Sequence, residues 1–206
     1  MVGGKARAWA GARRWIAVRA YASWRKARGT AGGAGSELES KAKRGGLIMS
    51  EERELREHVL ALLTGGHAHV MFDAAVRNLP AELRGKRPRG AKHSPWEVLE
   101  HMRIAQWDIL EFSRNPRHVS PEWPEGYWPA KRAPKDDKEW NASVRAFRRD
   151  LKAMCDLVAD EATDLYARIP HGTGQTILRE ALLTADHNAY HLGELVLLRR
   201  LLGAWK

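Results

Sequence analysis

The stretch from Thr176 to Gly203 constrains this chain most. Only Gly193 interrupts a run dominated by Ala, Leu, Arg and Glu, all of them good helix formers, so the sequence predicts one long helix there. On a helix, side chains four apart rise from one face, one turn above the other. His187 and His191 therefore point the same way. Two imidazoles at this spacing can take one divalent ion, as the paired histidines of zinc proteases do. Protease chemistry is not indicated, because Asn188 stands where such enzymes carry the glutamate that activates water. The spacing alone leaves two readings open, a metal-ligand pair and an ordinary hydrogen-bonded pair.

A third ligand is available in His93-Ser94-Pro95-Trp96-Glu97-Val98-Leu99-Glu100-His101. Ser94 suits an N-cap, Pro95 the first helical position and Glu97 the reciprocal partner of a capping box. His101 then falls two turns into a second helix, beside Val98, Ile104 and Ala105 on its apolar side. A histidine there is either a core residue with one hydrogen bond or a ligand aimed at the bundle axis. Taken with the pair on the last helix, the ligand reading is preferred.

The phrases HSPWEVLEHMRIAQWDILEF (93–112) and REALLTADHNAYHLGELV (179–196) resemble the DinB-like superfamily of damage-inducible bacterial proteins, and the similarity extends over 52–203. The resemblance implies a four-helix bundle whose metal is held by one histidine of the second helix and two of the fourth. In this sequence those are His101, His187 and His191. Some members of that family are S-transferases for low-molecular-weight bacterial thiols.

The formal charge of +10 is unevenly spread. Residues 1–48 carry 11 Lys/Arg against 2 Asp/Glu; subtracting these from totals of 35 and 25 leaves 24 against 23 in residues 49–206. The basic character thus belongs to the first segment, and nucleic-acid binding by the domain loses its main support. Residues 1–48 are rich in Ala, Gly and Arg, with no clean apolar stripe and no secretory h-region. They are expected to be a disordered extension or translated upstream sequence with Met49 as the natural start. Residues 49–206 form the expected domain.

Within the domain, Ser50-Glu51-Glu52 opens a first helix with acids in its first turn, where they suit the helix dipole. Gly65-Gly66 interrupts it, and His67 to Phe72 is expected to resume it as far as Leu79-Pro80. His69 is either a group supporting the metal site or an exposed surface histidine. The second helix runs from Pro95 to about Ser113 and stops before Pro116. A long aromatic and Pro-rich loop, 117–135, follows; as a functional loop its Trp123, Tyr127 and Trp128 would wall a substrate, and as a structural one it would cover the bundle end. A third helix starts near Asp136-Asp137, with a core stripe at Trp140, Val144, Phe147, Leu151, Met154, Val158, Leu165 and Ile169 that has a gap at Glu161-Ala162. Cys155, the single cysteine, excludes an intrachain disulfide and has no motif partner. No strand pattern and no membrane-spanning run of about 18 apolar residues is present. The expectation is an all-α protein, a cytoplasmic four-helix bundle with the second and fourth helices adjacent.

Three neutral imidazoles suit zinc or nickel, with iron and copper also compatible. Glu194 lies near the His187/His191 face and is read either as a carboxylate that orients a ligand or moves a proton, or as a solvated surface acid. The expected partners are a small-molecule substrate, a low-molecular-weight thiol among the candidates, and a second copy of the chain; neither nucleic acid at the domain nor a membrane is expected. The chemistry pointed to is thiol S-transfer or hydrolysis. The competing class is a non-catalytic metal-binding or stress-related interaction bundle. Removing residues 1–48 should leave helical content by circular dichroism and the melting temperature unchanged; a fall of several degrees would make that segment part of the fold.

Overall fold

Three capping side chains and one buried arginine set where the long helices begin and end. The computed structural model describes Met49 and residues 51–205; the expectations for residues 1–48 fall outside the described residues. Helix α1 spans 51–64, and α2 is the short Phe72–Val76. The three longest are α3 (Pro95–Arg114), α4 (Asp137–Ala159) and α5 (Ile177–Leu201). Ser94 caps α3 in a full capping box: its Oγ accepts from Glu97 N at 3.2 Å, and its own N–H donates to Glu97 Oε2 at 2.8 Å. Asp136 caps α4 by accepting from Glu139 N at 2.8 Å, and Thr176 caps α5 by accepting from Arg179 N at 3.2 Å. Among the described residues there is no strand, only the isolated bridge Arg168–Thr176. No helix there is long and apolar enough to cross a membrane.

Two expected extents are corrected. Helix α1 does not resume from His67 to Leu79-Pro80; only Phe72–Val76 is helical. Gly65 at φ +73° closes α1 through its N–H to Ala61 O at 3.0 Å. That left-handed position suits glycine, and Gly66 at φ +88° then turns the chain away. Helix α4 ends at Ala159, although the apolar stripe continues to Leu165 and Ile169. Arg56 explains the stop, since its guanidinium donates to Val158 O (2.6 Å), Asp160 O (3.0 Å) and Thr163 O (2.6 Å). These are carbonyls that a continuing helix would have bonded itself. Leu165 and Ile169 are still buried, inside a tight connection rather than a helix.

Packing orders the bundle. One cluster joins α2 with Trp96, Leu99 and Met102 of α3, Trp140 and Phe147 of α4, and Leu192 and Leu195 of α5. A second joins Val59 and Leu63 of α1 with Ile109 and Leu110 of α3, Met154 and Val158 of α4, and Ala181 of α5. The start of α3 thus lies with the start of α4 and the end of α5. Helices α3 and α4 run parallel, and α5 runs antiparallel to both. Residues such as Leu99, Met102 and Leu195 have no exposed surface, each burial stabilising by about 1.5–3 kcal/mol. Packing of this kind, more than helix propensity, holds the helices.

A parallel pair needs a crossover, and residues 115–136 supply it with only one 3-10 turn, Glu125–Tyr127. Its contacts with α3 march backwards: His118 at Asp108, the Tyr127 carbonyl at His101, and Arg132 O at Ser94 Oγ. Its far end lies against Gly85, where a Cβ would collide with Ala133. Arg56→Met should lower unfolding free energy by about 2–4 kcal/mol, since three carbonyls lose a charged donor. Arg53→Met, at an exposed site 4.0 Å from Glu57, should change it by no more than about 0.5 kcal/mol. Urea denaturation midpoints check both.

Candidate metal centre

His101 sits two turns into α3 because the Ser94 cap fixes where that helix begins. His187 and His191 sit one turn apart on α5, which packs against α3. The structure brings the three rings together: one ligand atom from each lies within 4.8 Å of the other two. His187 Nε2 is 3.1 Å from His101 Nε2, a separation that two nitrogen–metal bonds of about 2.0–2.1 Å can span. His101 and His191 are buried and His187 is half-buried.

The outer nitrogens settle which atoms face inward. His101 Nδ1 lies 2.9 Å from Tyr127 O. A carbonyl can only accept, so Nδ1 carries the proton and Nε2 presents a lone pair. His191 Nδ1 lies 2.8 Å from Glu194 Oε2, and the ionised carboxylate imposes the same tautomer. Two rings therefore present a bare Nε2, and that of His101 meets His187 Nε2 directly. A shared ring proton satisfies one of them, and a cation satisfies all three. Burial is the largest cause that lowers the pKa of His101 to about 4, and it lowers His187 to about 3 with help from the neighbouring rings. Near neutral pH these two imidazoles are uncharged, the form that binds metal. The donor set fits a divalent ion such as zinc or nickel.

Glu194 takes its partner one turn back, at His191, rather than one turn ahead at Leu198. The His191 hydrogen bond is the largest cause that holds its carboxyl below the ordinary glutamate range. Its other oxygen lies 3.5 Å from His93 Nδ1. Trp128 stacks on His93 at 3.8 Å and on His101 at 4.0 Å, within 3° of parallel to the latter. The crossover thus forms one wall of the centre. Tyr127 turns its hydroxyl to Asp108 Oδ2 at 2.6 Å. Trp123 packs edge-on against Tyr127, and the residue is 47% exposed. His69 is not brought to the triad; it is exposed, with Nδ1 2.9 Å from Val70 O, and it lines a depression with Leu63, Phe72 and Leu192.

Sequence reasoning missed the roles of five residues. His93 precedes the helix cap, and His118 stands in an irregular loop, so neither had a periodic signal. Asp108 did carry one, being an acid seven residues after His101 on a largely buried helix. Gln106 and Asn188 form a buried polar chain: Gln106 Nε2 donates to Phe147 O at 2.7 Å, and Asn188 Nδ2 donates to Gln106 Oε1 at 2.8 Å. Among the described residues, Asn188 Oδ1 and His187 Nδ1 are left buried without hydrogen-bond partners.

Parallel crossover, antiparallel final helix and a largely buried three-histidine cluster define a helical bundle with a candidate metal site between two of its helices. Residues 66–195 match the DinB superfamily, and the chain belongs to that family. No curated protein and no solved structure matches the chain.

The depressed imidazoles give a pH prediction for metal-free protein. Below about pH 6.5 the unfolded chain protonates His101 and His187 while the folded chain resists until about 4 and about 3. The unfolded state then binds more protons, so stability falls as pH drops through this window. The slope of melting temperature against pH between 6.5 and 4 should flatten in His101→Gln/His187→Gln; an unchanged slope would deny these rings the role.

Proposed function

We propose that this protein is a metal-dependent enzyme acting on small molecules, joining a thiol cosubstrate to an electrophile or hydrolysing a thiol adduct. The observation that carries the reading is the meeting of His101 and His187 through their Nε2 atoms, with His191 turned to the same point. A divalent ion held by three neutral imidazoles supplies Lewis acidity and lowers the pKa of a thiol or water placed beside it.

The chain's own residues divide the remaining tasks. Tyr127 O and Glu194 fix the tautomers of His101 and His191, and His93 extends the Glu194 contact outward. Glu194 holds a proton between itself and His191 Nδ1 and is the candidate proton-transfer carboxylate. Trp128 covers the His101 ring and limits water on that side. Trp123 and Trp128 supply aromatic surface for a substrate, and Tyr127 fixes the loop between them. The nucleophilic sulfur comes from a cosubstrate, because burial raises the Cys155 thiol pKa and its side chain packs in the second core cluster.

In protein purified without a histidine tag, elemental analysis should find close to one equivalent of zinc or nickel, with iron the next candidate. His101→Ala, His187→Ala and His191→Ala should each lose it while keeping native helicity, and His69→Ala and His58→Ala should retain it. Metal-loaded protein should speed consumption of glutathione by 1-chloro-2,4-dinitrobenzene or a related thiol–electrophile pair relative to the metal-free form. Stoichiometric metal with no acceleration across a thiol and electrophile panel would favour the non-catalytic binding bundle. Absence of metal in the parent protein would overturn the reading.

A further inference from the structure

Asp108 stands seven residues after His101 on α3, so the two share a face, two turns and about 10.5 Å apart along the axis. It is only 8% exposed, and both of its oxygens are occupied by the crossover. Oδ1 lies 2.7 Å from His118 Nε2, and Oδ2 accepts from the Tyr127 hydroxyl at 2.6 Å. One carboxylate therefore ties two separate points of an irregular loop to one helix. The residue so anchored, Tyr127, places its own carbonyl 2.9 Å from His101 Nδ1. The next residue, Trp128, lies flat on the His101 ring.

We propose that Asp108 is a positioning residue for His101: by holding His118 and Tyr127 it keeps the Tyr127 carbonyl where it fixes the imidazole as the Nδ1–H tautomer, with Nε2 toward His187 and His191. The carbonyl belongs to a loop with a single 3-10 turn, so its position rests on side-chain anchors rather than on helix geometry. Freed of Asp108, the loop loses both contacts at once, because a buried anchor serves two donors. His101 then loses the acceptor that pins its proton, and the proton can sit on Nε2, the atom that must be bare. This rests on the metal reading for its effect on affinity but not for its effect on the ring. By thermodynamic reciprocity, whatever the anchored loop adds to ion binding, the ion returns to loop order.

The test uses full-length protein labelled with 15N-histidine, first metal-free. Long-range 15N–1H spectra should show His101 of the parent as Nδ1–H alone. In Asp108→Ala it should shift toward Nε2–H, and zinc affinity in the loaded series should fall by about 10–100-fold. Tyr127→Phe should move both readouts the same way, with Asp108→Ala/Tyr127→Phe no worse than Asp108→Ala, because the two act as one unit. Should Asp108→Ala not fold, Asp108→Asn, which keeps an acceptor for Tyr127, should fold and keep the Nδ1–H tautomer and most zinc affinity, whereas Tyr127→Phe should not. A parent-like His101 tautomer in Asp108→Ala, or in Tyr127→Phe if that is the variant measured, overturns the proposal. A parent that binds no zinc overturns the functional reading alone, since the ring tautomer still decides the role of Asp108.

Discussion

Parallel packing of α3 and α4 is the constraint from which the site follows. Two consecutive helices that run the same way cannot be joined by a short turn. The chain must return along the full length of α3, about 30 Å for its 20 residues. It does so over the face that carries Asp108, His101 and Ser94, touching each in reverse order. The connector that solves a topological problem thereby becomes the wall of the histidine cluster. Antiparallel α5 then brings its own histidines to the same level, because its C-terminal half packs on the N-terminal half of α3.

The rings at that level are supported from two unlike sources. A backbone carbonyl of the crossover holds His101, a carboxylate on the same helix holds His191, and among the described residues the His187 outer nitrogen makes no hydrogen bond. Such supports orient a metal ligand and decide which nitrogen is bare. Their variety follows from geometry. His191 can reach a residue three positions on, in the next turn of its own helix. His101 faces the loop, and its side-chain supports must come from outside its helix.

The helix starts and the His187/His191 pair were legible in the sequence because both rest on local regularity, whereas the full triad with His101 also drew on the family resemblance. Ser94-Pro95-Trp96-Glu97 encodes a start, Asn115-Pro116 encodes a stop, and His187 and His191 are related by helical period. The same reasoning over-extended α4, because the stripe through Leu165 and Ile169 reports burial, and burial does not require a helix. What ended α4 was Arg56, over a hundred residues away in sequence, and no local pattern reveals such a partner. Tyr127 was legible as a loop aromatic, yet its carbonyl and its hydroxyl both turn to α3. The role of a loop residue depends on where the chain has been anchored, and those anchors, His118 and Asp108, had to be seen in space.

The buried polar chain from Phe147 O through Gln106 to Asn188 shows how the core accommodates the site. Phe147 O can only accept, so Gln106 must turn its nitrogen there and its oxygen to Asn188. Asn188 must in turn give its nitrogen to Gln106, which leaves Oδ1 as an acceptor on the residue next to His187. Its carboxamide is the one neighbour that favours a proton on that ring, against burial and the two other imidazoles. When His187 Nε2 is turned to a cation, the ring proton resides on Nδ1. The unpartnered donor and the unpartnered acceptor are then of complementary kind on consecutive residues. An apolar core at these positions would avoid the cost of unsatisfied buried groups. A polar chain whose every proton is set by one backbone carbonyl, ending beside a candidate ligand, fits a core shaped around the histidine cluster rather than around packing alone.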